Sequence, residues 1–287
     1  MKKLLKSTGL TLHSASRGNI PAYVKSGLAF IKEAGFDVAD LGLHAYGLNA
    51  DNWQSYVESF LTDAREVDIP IKICHLPFFD AKVNTDPEYA ELCNQRMHVA
   101  IDAAKALGVE HAVLHPNCTS VTVKSYNKEK HYDMAMAHLS PFAEHAAKLG
   151  LNIVVENTRL VPGIRQSHRY CQGPEELCEL ADALGFGICW DFGHANLAGF
   201  KQSEALAYIG KRLKVLHVND NRATDDDHMA PFMGNVDWAD AMHGLALAEF
   251  DGYFNYEVGT PQIPAELRMD FAKYLVKAAD KLMEMIV

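Results

Sequence analysis

Several apolar stretches of this chain end in residues that could bind a metal: His75, His115, Glu156, Asp191, His217 and Glu257. His194 follows Asp191 closely, and the pair Asp226 and His228 lies in the loop after His217. Carboxylates collected in one buried place repel one another, and a cation is the simplest way to keep them ionised. Glu156, Asp191, His217 and Glu257 together make a hard, oxygen-rich donor set. It suits a divalent metal, Mn2+ foremost, with Mg2+, Co2+ or Zn2+ as alternatives. His75, His115, His194, Asp226 and His228 are candidates for a second metal, for orienting the ligands, or for contacting substrate hydroxyls. Taken singly, each acid could as readily cap a helix or pair with a lysine. The set at strand ends is what points to metal.

Residues so far apart in sequence need a scaffold that brings strand ends together. Periodicity gives eight short apolar runs, each followed by an amphipathic segment. The runs are Lys6 to Leu12, Val38 to Leu43, Ile71 to Leu76, His111 to His115, Asn152 to Glu156, Gly187 to Asp191, Leu213 to His217 and Tyr253 to Glu257. Helical patterns are expected over Ile20 to Ala34, Asp51 to Val67 and Pro87 to Leu107, then up to Leu149, from Pro174 onward, and over Pro264 to Met285. Strands alternating with helices imply right-handed βαβ units and a parallel sheet. Eight such units predict an α/β fold, a single (β/α)8 TIM barrel, in which every strand ends on the same face. No Gly-x-Gly-x-x-Gly follows the first run and no Walker-type loop occurs, which argues against a nucleotide-binding α/β fold. No Pro/Gly/Ser-rich linker divides the chain, so one domain over residues 1–287 is expected.

The 287 residues carry 48% hydrophobic and 22% charged side chains, ordinary for a globular protein with a large core. A formal charge of −10 argues against a sequence-tolerant nucleic-acid binder, which gains affinity by neutralising phosphates with Lys and Arg. The N-terminal segment has lysines but no apolar stretch of signal-peptide length, and no run could span a bilayer. A cytoplasmic, membrane-free protein is the expectation. The six cysteines are scattered without a Cys-x-x-Cys pair, which suggests buried thiols.

Val155-Glu156-Asn157-Thr158, Trp190-Asp191-Phe-Gly-His194-Ala-Asn, Leu216-His217-Val-Asn-Asp220, Asp226-Asp-His228 and Tyr256-Glu257-Val-Gly259 resemble the xylose isomerase-like barrel superfamily over nearly the whole chain. That superfamily includes sugar phosphate isomerases and epimerases as well as endonuclease IV. The resemblance implies that Glu156, Asp191, His217 and Glu257 are the shared metal ligands. It also implies that His75, His115, His194, Asp226 and His228 match positions that endonuclease IV uses for its other zinc ions. Leu114-His115-Pro116 and Glu156-Asn157-Thr158 resemble endonuclease signatures. The loop Met229-Ala-Pro-Phe-Met-Gly234-Asn-Val-Asp237-Trp238 is similar to the isomerase/epimerase branch, which is the favoured reading.

In that reading a metal-dependent isomerase or epimerase acts on a small sugar or sugar phosphate. Glu156 and Glu257 take and return a proton through an ene-diolate, while His194 and Arg222 hold substrate oxygens. The ketose 3-epimerases carry a glutamate soon after the ligand in the fifth run. Asn157 to Gly163 has none, so their substrates do not transfer. The loop Thr158 to Gly173, with Arg159, Arg165, His168 and Arg169, is a candidate cover for an anionic or polyhydroxy substrate, and Phe78 and Phe79 a candidate stacking face. The alternatives are an endonuclease IV-like multi-zinc phosphodiesterase, a metal-dependent lyase or dehydratase, and a barrel that binds ligand without turnover. The last helix is apolar on several sides (Phe271, Tyr274, Leu275, Val276, Leu282, Met283, Ile286), which makes a homo-oligomer contact conceivable.

Overall fold

The computed structural model describes residues 7–11, 23–79, 81–116, 121–161, 167–259 and 263–286. In chain order the first elements are β1 (Ser7–Thr11), α1 (Tyr23–Ala34), β2 (Val38–Gly42), α2 (Trp53–Val67), β3 (Ile71–His75), α3 (Pro87–Leu107) and β4 (His111–Leu114). Next come β5 (Val121–Thr122), α4 (Lys128–Leu149), β6 (Ile153–Glu156), β7 (Ser167–His168), α5 (Pro174–Leu184) and β8 (Gly187–Asp191). The chain continues through α6 (Phe192–Ala198), α7 (Gln202–Ile209), β9 (Leu213–Val218), α8 (Trp238–Leu247), β10 (Tyr253–Tyr256) and α9 (Arg268–Glu284).

β1, β2, β3, β4, β6, β8, β9 and β10 form a closed barrel in which every neighbouring pair is parallel and β1 pairs with β10. This is the expected α/β barrel. Local signals set the boundaries. Asp86 caps α3 by accepting the Tyr89 N–H at 3.0 Å, with Pro87 in the first turn, and the helix closes on Gly108 at φ 72°. β4 stops at Leu114, one residue short of His115, because Pro116 brings no N–H to continue a ladder. α9 starts at Arg268, not at Pro264, after a 3-10 turn over Ala265–Leu267. The first expected helix begins at Tyr23 among the described residues; Ile20 to Ala22 lie outside them.

Two features lay outside the sequence expectation. β5 and β7, from the loops after β4 and β6, pair antiparallel beside the barrel. The β8–β9 connection holds two helices, α6 and α7. The apolar positions of α9 pack on the barrel's own core: Leu275 and Leu282 are buried, and Phe271, Tyr274, Val276 and Met283, with Ile286 just past the helix, lie partly buried against it. No described helix is long and apolar enough to cross a membrane. The five described cysteines, Cys74, Cys93, Cys171, Cys178 and Cys189, are buried.

The barrel interior decides where the polar residues go. Val38, Ile73, Val113, Val154, Cys189, Val215 and Tyr253, one from each of seven strands, form an apolar cluster separate from the core beneath the helices. In a closed barrel, strand residues two apart face the same side. Two positions further along those strands stand Asp40, His75, His115, Glu156, Asp191, His217 and Asn255. The apolar layer therefore forms a floor, and the polar set is the next layer above it, at the C-terminal mouth of the strands.

Candidate metal centre

Glu156 and Asp191 end β6 and β8, His217 stands one residue before the end of β9, and Glu257 follows β10. The first three are at most 1% exposed. Their ligand atoms and one from Glu257 lie within 4.8 Å of one another. His217 Nδ1 is 3.0 Å from both Glu156 Oε1 and Glu257 Oε2. One ring nitrogen thus stands between two carboxylates, which a bridging proton or a cation must reconcile.

Asp191 is held from every side. Its backbone N–H donates to Asn157 Oδ1 at 2.7 Å, and Asn157 Nδ2 returns a bond to the Asp191 carbonyl at 3.1 Å. Its carboxylate caps α6 by accepting the His194 N–H at 2.7 Å, and Asn219 Nδ2 donates to the other oxygen at 2.7 Å. Burial pushes the Asp191 carboxyl up to about 6, with Glu156, Asp226 and Glu257 adding to the rise and His194 opposing it.

Two further groups flank this tetrad. On one side, His75 and His115 share Glu156 Oε2 at 3.5 and 2.8 Å. His75 Nδ1 donates to the Leu76 carbonyl at 2.9 Å, leaving Nε2 facing His115 Nε2 at 3.0 Å. Glu156 Oε2 is buried without a well-formed hydrogen bond despite these close nitrogens. On the other side stand His194, Asp226 and His228. His194 Nδ1 donates to the Asn157 carbonyl at 2.7 Å and His228 Nδ1 to the Glu257 carbonyl at 2.9 Å. Both Nε2 atoms then face Asp226 Oδ2, at 3.6 and 3.2 Å. His228 reaches this position with φ at 49°, an uncommon conformation for a non-glycine residue.

Electrostatics describe one shortage of positive charge. Burial works against every ionised group here. Even so, His217 and His115 hold the Glu156 carboxyl well below the usual range. Burial opposes the charged forms of His194 and His228 too, yet the neighbouring carboxylates raise both to about 10. Burial alone would raise Asp226, but the two histidines hold it well below its ordinary value. Histidines whose Nδ1 is tied to a carbonyl and whose Nε2 points at a carboxylate are arranged as metal ligands are, with the carbonyl fixing the tautomer. Among protein groups alone, protons must supply the missing charge. The donor chemistry, with Glu156 Oε2 and Asp226 Oδ1 buried without a well-formed hydrogen bond, fits divalent cations equally well.

The structure thus brings together all nine of the strand-end and loop residues singled out in the sequence. Arg222 is exposed and forms no hydrogen bond or ion pair with them among the described residues. In the loop after β6, Arg159 Nη1 donates to Asp226 Oδ2 at 3.2 Å. His168 turns away to Glu176, and Arg165 lies outside the described residues. Phe78 is 55% exposed and stacks on His115 with ring centroids 5.4 Å apart, so it lines the mouth and is not part of the core.

Sequence reasoning missed Asn157, Asn219 and Asp220. Asp220 is fully buried and accepts from the backbone N–H groups of Asn221, Gly234 and Val236 and from Trp238 Nε1, at 2.9 to 3.1 Å. Its own backbone exchanges two 2.8 Å hydrogen bonds with Met229. Asp220 therefore closes the base of the loop that carries Asp226 and His228. Its place in Leu216-His217-Val-Asn-Asp220 was visible, but its role depends on residues up to Trp238.

Comparison with known proteins agrees with this architecture. The family model described as xylose isomerase-like TIM barrel matches residues 28–279. An uncharacterized protein of Methanocaldococcus jannaschii is 30% identical over 250 residues, covering 83% of this chain and 80% of that protein. The crystal structure of a D-tagatose 3-epimerase-like protein is 22% identical and superposes with a TM-score of 0.75 over 98% of each chain. That of an L-ribulose 3-epimerase is 15% identical, with a TM-score of 0.76 over 98% of this chain and 95% of the other. At such identities the two structures speak to the fold. With the family model spanning most of the barrel, the chain belongs to the xylose isomerase-like TIM barrel family.

Proposed function

We propose that the chain is a divalent-metal-dependent isomerase or epimerase acting on a small sugar or sugar phosphate, with residues 1–287 working as one barrel. The observation that carries this reading is the convergence of Glu156, Asp191, His217 and Glu257 within 4.8 Å at the mouth of the barrel. The epimerase named in one similar solved structure, and the epimerase-like protein in another, support it.

Those four side chains would hold the cation, with Mn2+ the first candidate and Mg2+, Co2+ or Zn2+ the alternatives. Bound there, it would supply a Lewis acid to polarise a carbonyl oxygen. The rest falls to the protein. Glu257, at 13% side-chain exposure, is the more accessible carboxylate and would take the α-proton, while Glu156 would return one from the other side. His194, with Nδ1 fixed on the Asn157 carbonyl, presents Nε2 toward the mouth and would hydrogen-bond a reacting hydroxyl. Phe78 supplies an apolar wall for the sugar face.

Solvent-deuterium exchange into a panel of ketoses and aldoses tests the reading. Exchange is expected with the wild-type chain and lost in both Glu156→Gln and Glu257→Gln. Exchange that survives in both variants would sink the two-glutamate assignment.

A second reading rests on a specific observation. The groups His75, Glu156, His217 and His194, Asp226, His228 could each hold a further cation. A multinuclear centre of that kind suits phosphodiester hydrolysis. Cleavage of an abasic-site DNA by the zinc-loaded chain, with no sugar exchange, would favour it.

A further inference from the structure

Asp226, at the mouth, faces a permanent cation in Arg159. Its side chain is 7% exposed, and Oδ1 is buried without a partner. Oδ2 carries every polar contact: His194 Nε2 at 3.6 Å, His228 Nε2 at 3.2 Å and Arg159 Nη1 at 3.2 Å. The guanidinium comes from a different loop, the one after β6, and its side chain is 42% exposed. It therefore sits on the oxygen toward which both histidines aim, and it makes a single bond there, not a fork.

We propose that Arg159 is a displaceable counter-ion of the outer group His194, Asp226 and His228, one that competes with a divalent cation for Asp226. The proposal rests on the reading of the mouth as a metal centre. Its logic is that of charge and reach. The two imidazoles keep Nδ1 on a carbonyl and turn Nε2 to the same Asp226 oxygen, as ligands of one cation would. The guanidinium cannot shed its charge. Placed on Oδ1, it could remain as an outer partner of a liganding carboxylate. On Oδ2 it stands where the cation must bind, and like charges at that separation repel. Its exposure makes withdrawal into solvent inexpensive, as for other surface ion pairs.

The test is calorimetric titration of the chelator-stripped full chain with Mn2+ and, separately, Zn2+, at fixed pH and salt. Asp226→Asn identifies the outer class of sites as the class it removes. Arg159→Gln is expected to tighten that class by roughly two- to fivefold, the scale of one exposed ion pair, and to leave the remaining class unchanged. Arg159→Lys keeps the charge and is expected to stay closer to the wild-type chain. An outer class that is unchanged or weaker in Arg159→Gln overturns the proposal, as does an Asp226→Asn chain that loses no class. The metal-centre reading itself fails separately, through the absence of any site that survives Asp226→Asn and disappears in Asp191→Asn.

Discussion

His75 Nε2 and His115 Nε2 stand 3.0 Å apart, with the His75 Nδ1–H already committed to the Leu76 carbonyl. Two bare nitrogen lone pairs cannot face each other at this distance, so a proton or a cation must lie with them and Glu156 Oε2. If a cation does so in solution, His115→Gln should lower the metal bound per chain by one equivalent and leave the tetrad's equivalent in place. Elemental analysis after equilibrium dialysis reads this directly. An unchanged metal count would assign the pair to proton sharing.

Asp220 offers a prediction about positioning. Its buried carboxylate gathers three backbone N–H groups and an indole N–H, and so fixes the loop that carries Asp226 and His228. Asp220→Asn removes the charge and turns part of the acceptor into a donor facing donors. A loss of roughly 1–3 kcal/mol in unfolding free energy is expected, the cost of leaving buried polar groups unpaired. Weaker binding at the outer group is expected with it, and urea unfolding and metal titration on the same variant separate the two effects. Trp238→Phe, which removes only one donor, should show a smaller version of both.

Much of this was legible because barrel strands repeat every two residues. Val154 and Glu156, or Val215 and His217, sit two apart, so the residue that ends each apolar run must point into the lumen above the floor. What the sequence concealed depends on contacts between distant loops. Arg159 reaches Asp226 across 67 positions, and nothing in Thr158-Arg159-Leu160 marks that partner. The β5–β7 pair is two residues long on each side, too short for any alternation to register. Asn157 and Asn219 look like ordinary strand-end amides. Only the fold reveals that their carboxamides pair with Asp191.

The loops after β4 and β6 are tied down by Glu176. This acid accepts from the Tyr126 hydroxyl, the Cys171 N–H at 2.9 Å and His168 Nε2 at 3.3 Å. Burial pushes its carboxyl up, but these donors outweigh burial and hold it below its ordinary value of 4.5. The folded chain therefore binds fewer protons at this position than the unfolded chain does. Stability from this site is complete above about pH 4.5 and is lost as acidification passes the depressed folded value. Glu176→Gln should destabilise the chain at neutral pH by about 1–3 kcal/mol and flatten the acid limb of its stability profile. Thermal melts between neutral and acidic pH check both, and an acid limb as steep as in the wild-type chain would place the titration elsewhere.

Gly193 gives a prediction that joins backbone geometry to the metal centre. A Cβ at this position would lie 1.9 Å from Asn219 Oδ1, closer than any real contact allows. Asn219 is the fully buried residue whose Nδ2 donates to Asp191 Oδ2 at 2.7 Å. Gly193→Ala must therefore displace the Asn219 carboxamide and with it one of the bonds that orient Asp191. Loss of a second partner of a ligand commonly weakens metal binding by about 10- to 100-fold, and a weakening on that scale is expected for the tetrad, with the outer group less affected. Asn219→Ala removes the same hydrogen bond without the clash. If the two variants lose affinity alike, the effect runs through Asp191. A defect confined to Gly193→Ala would locate it in the backbone of α6.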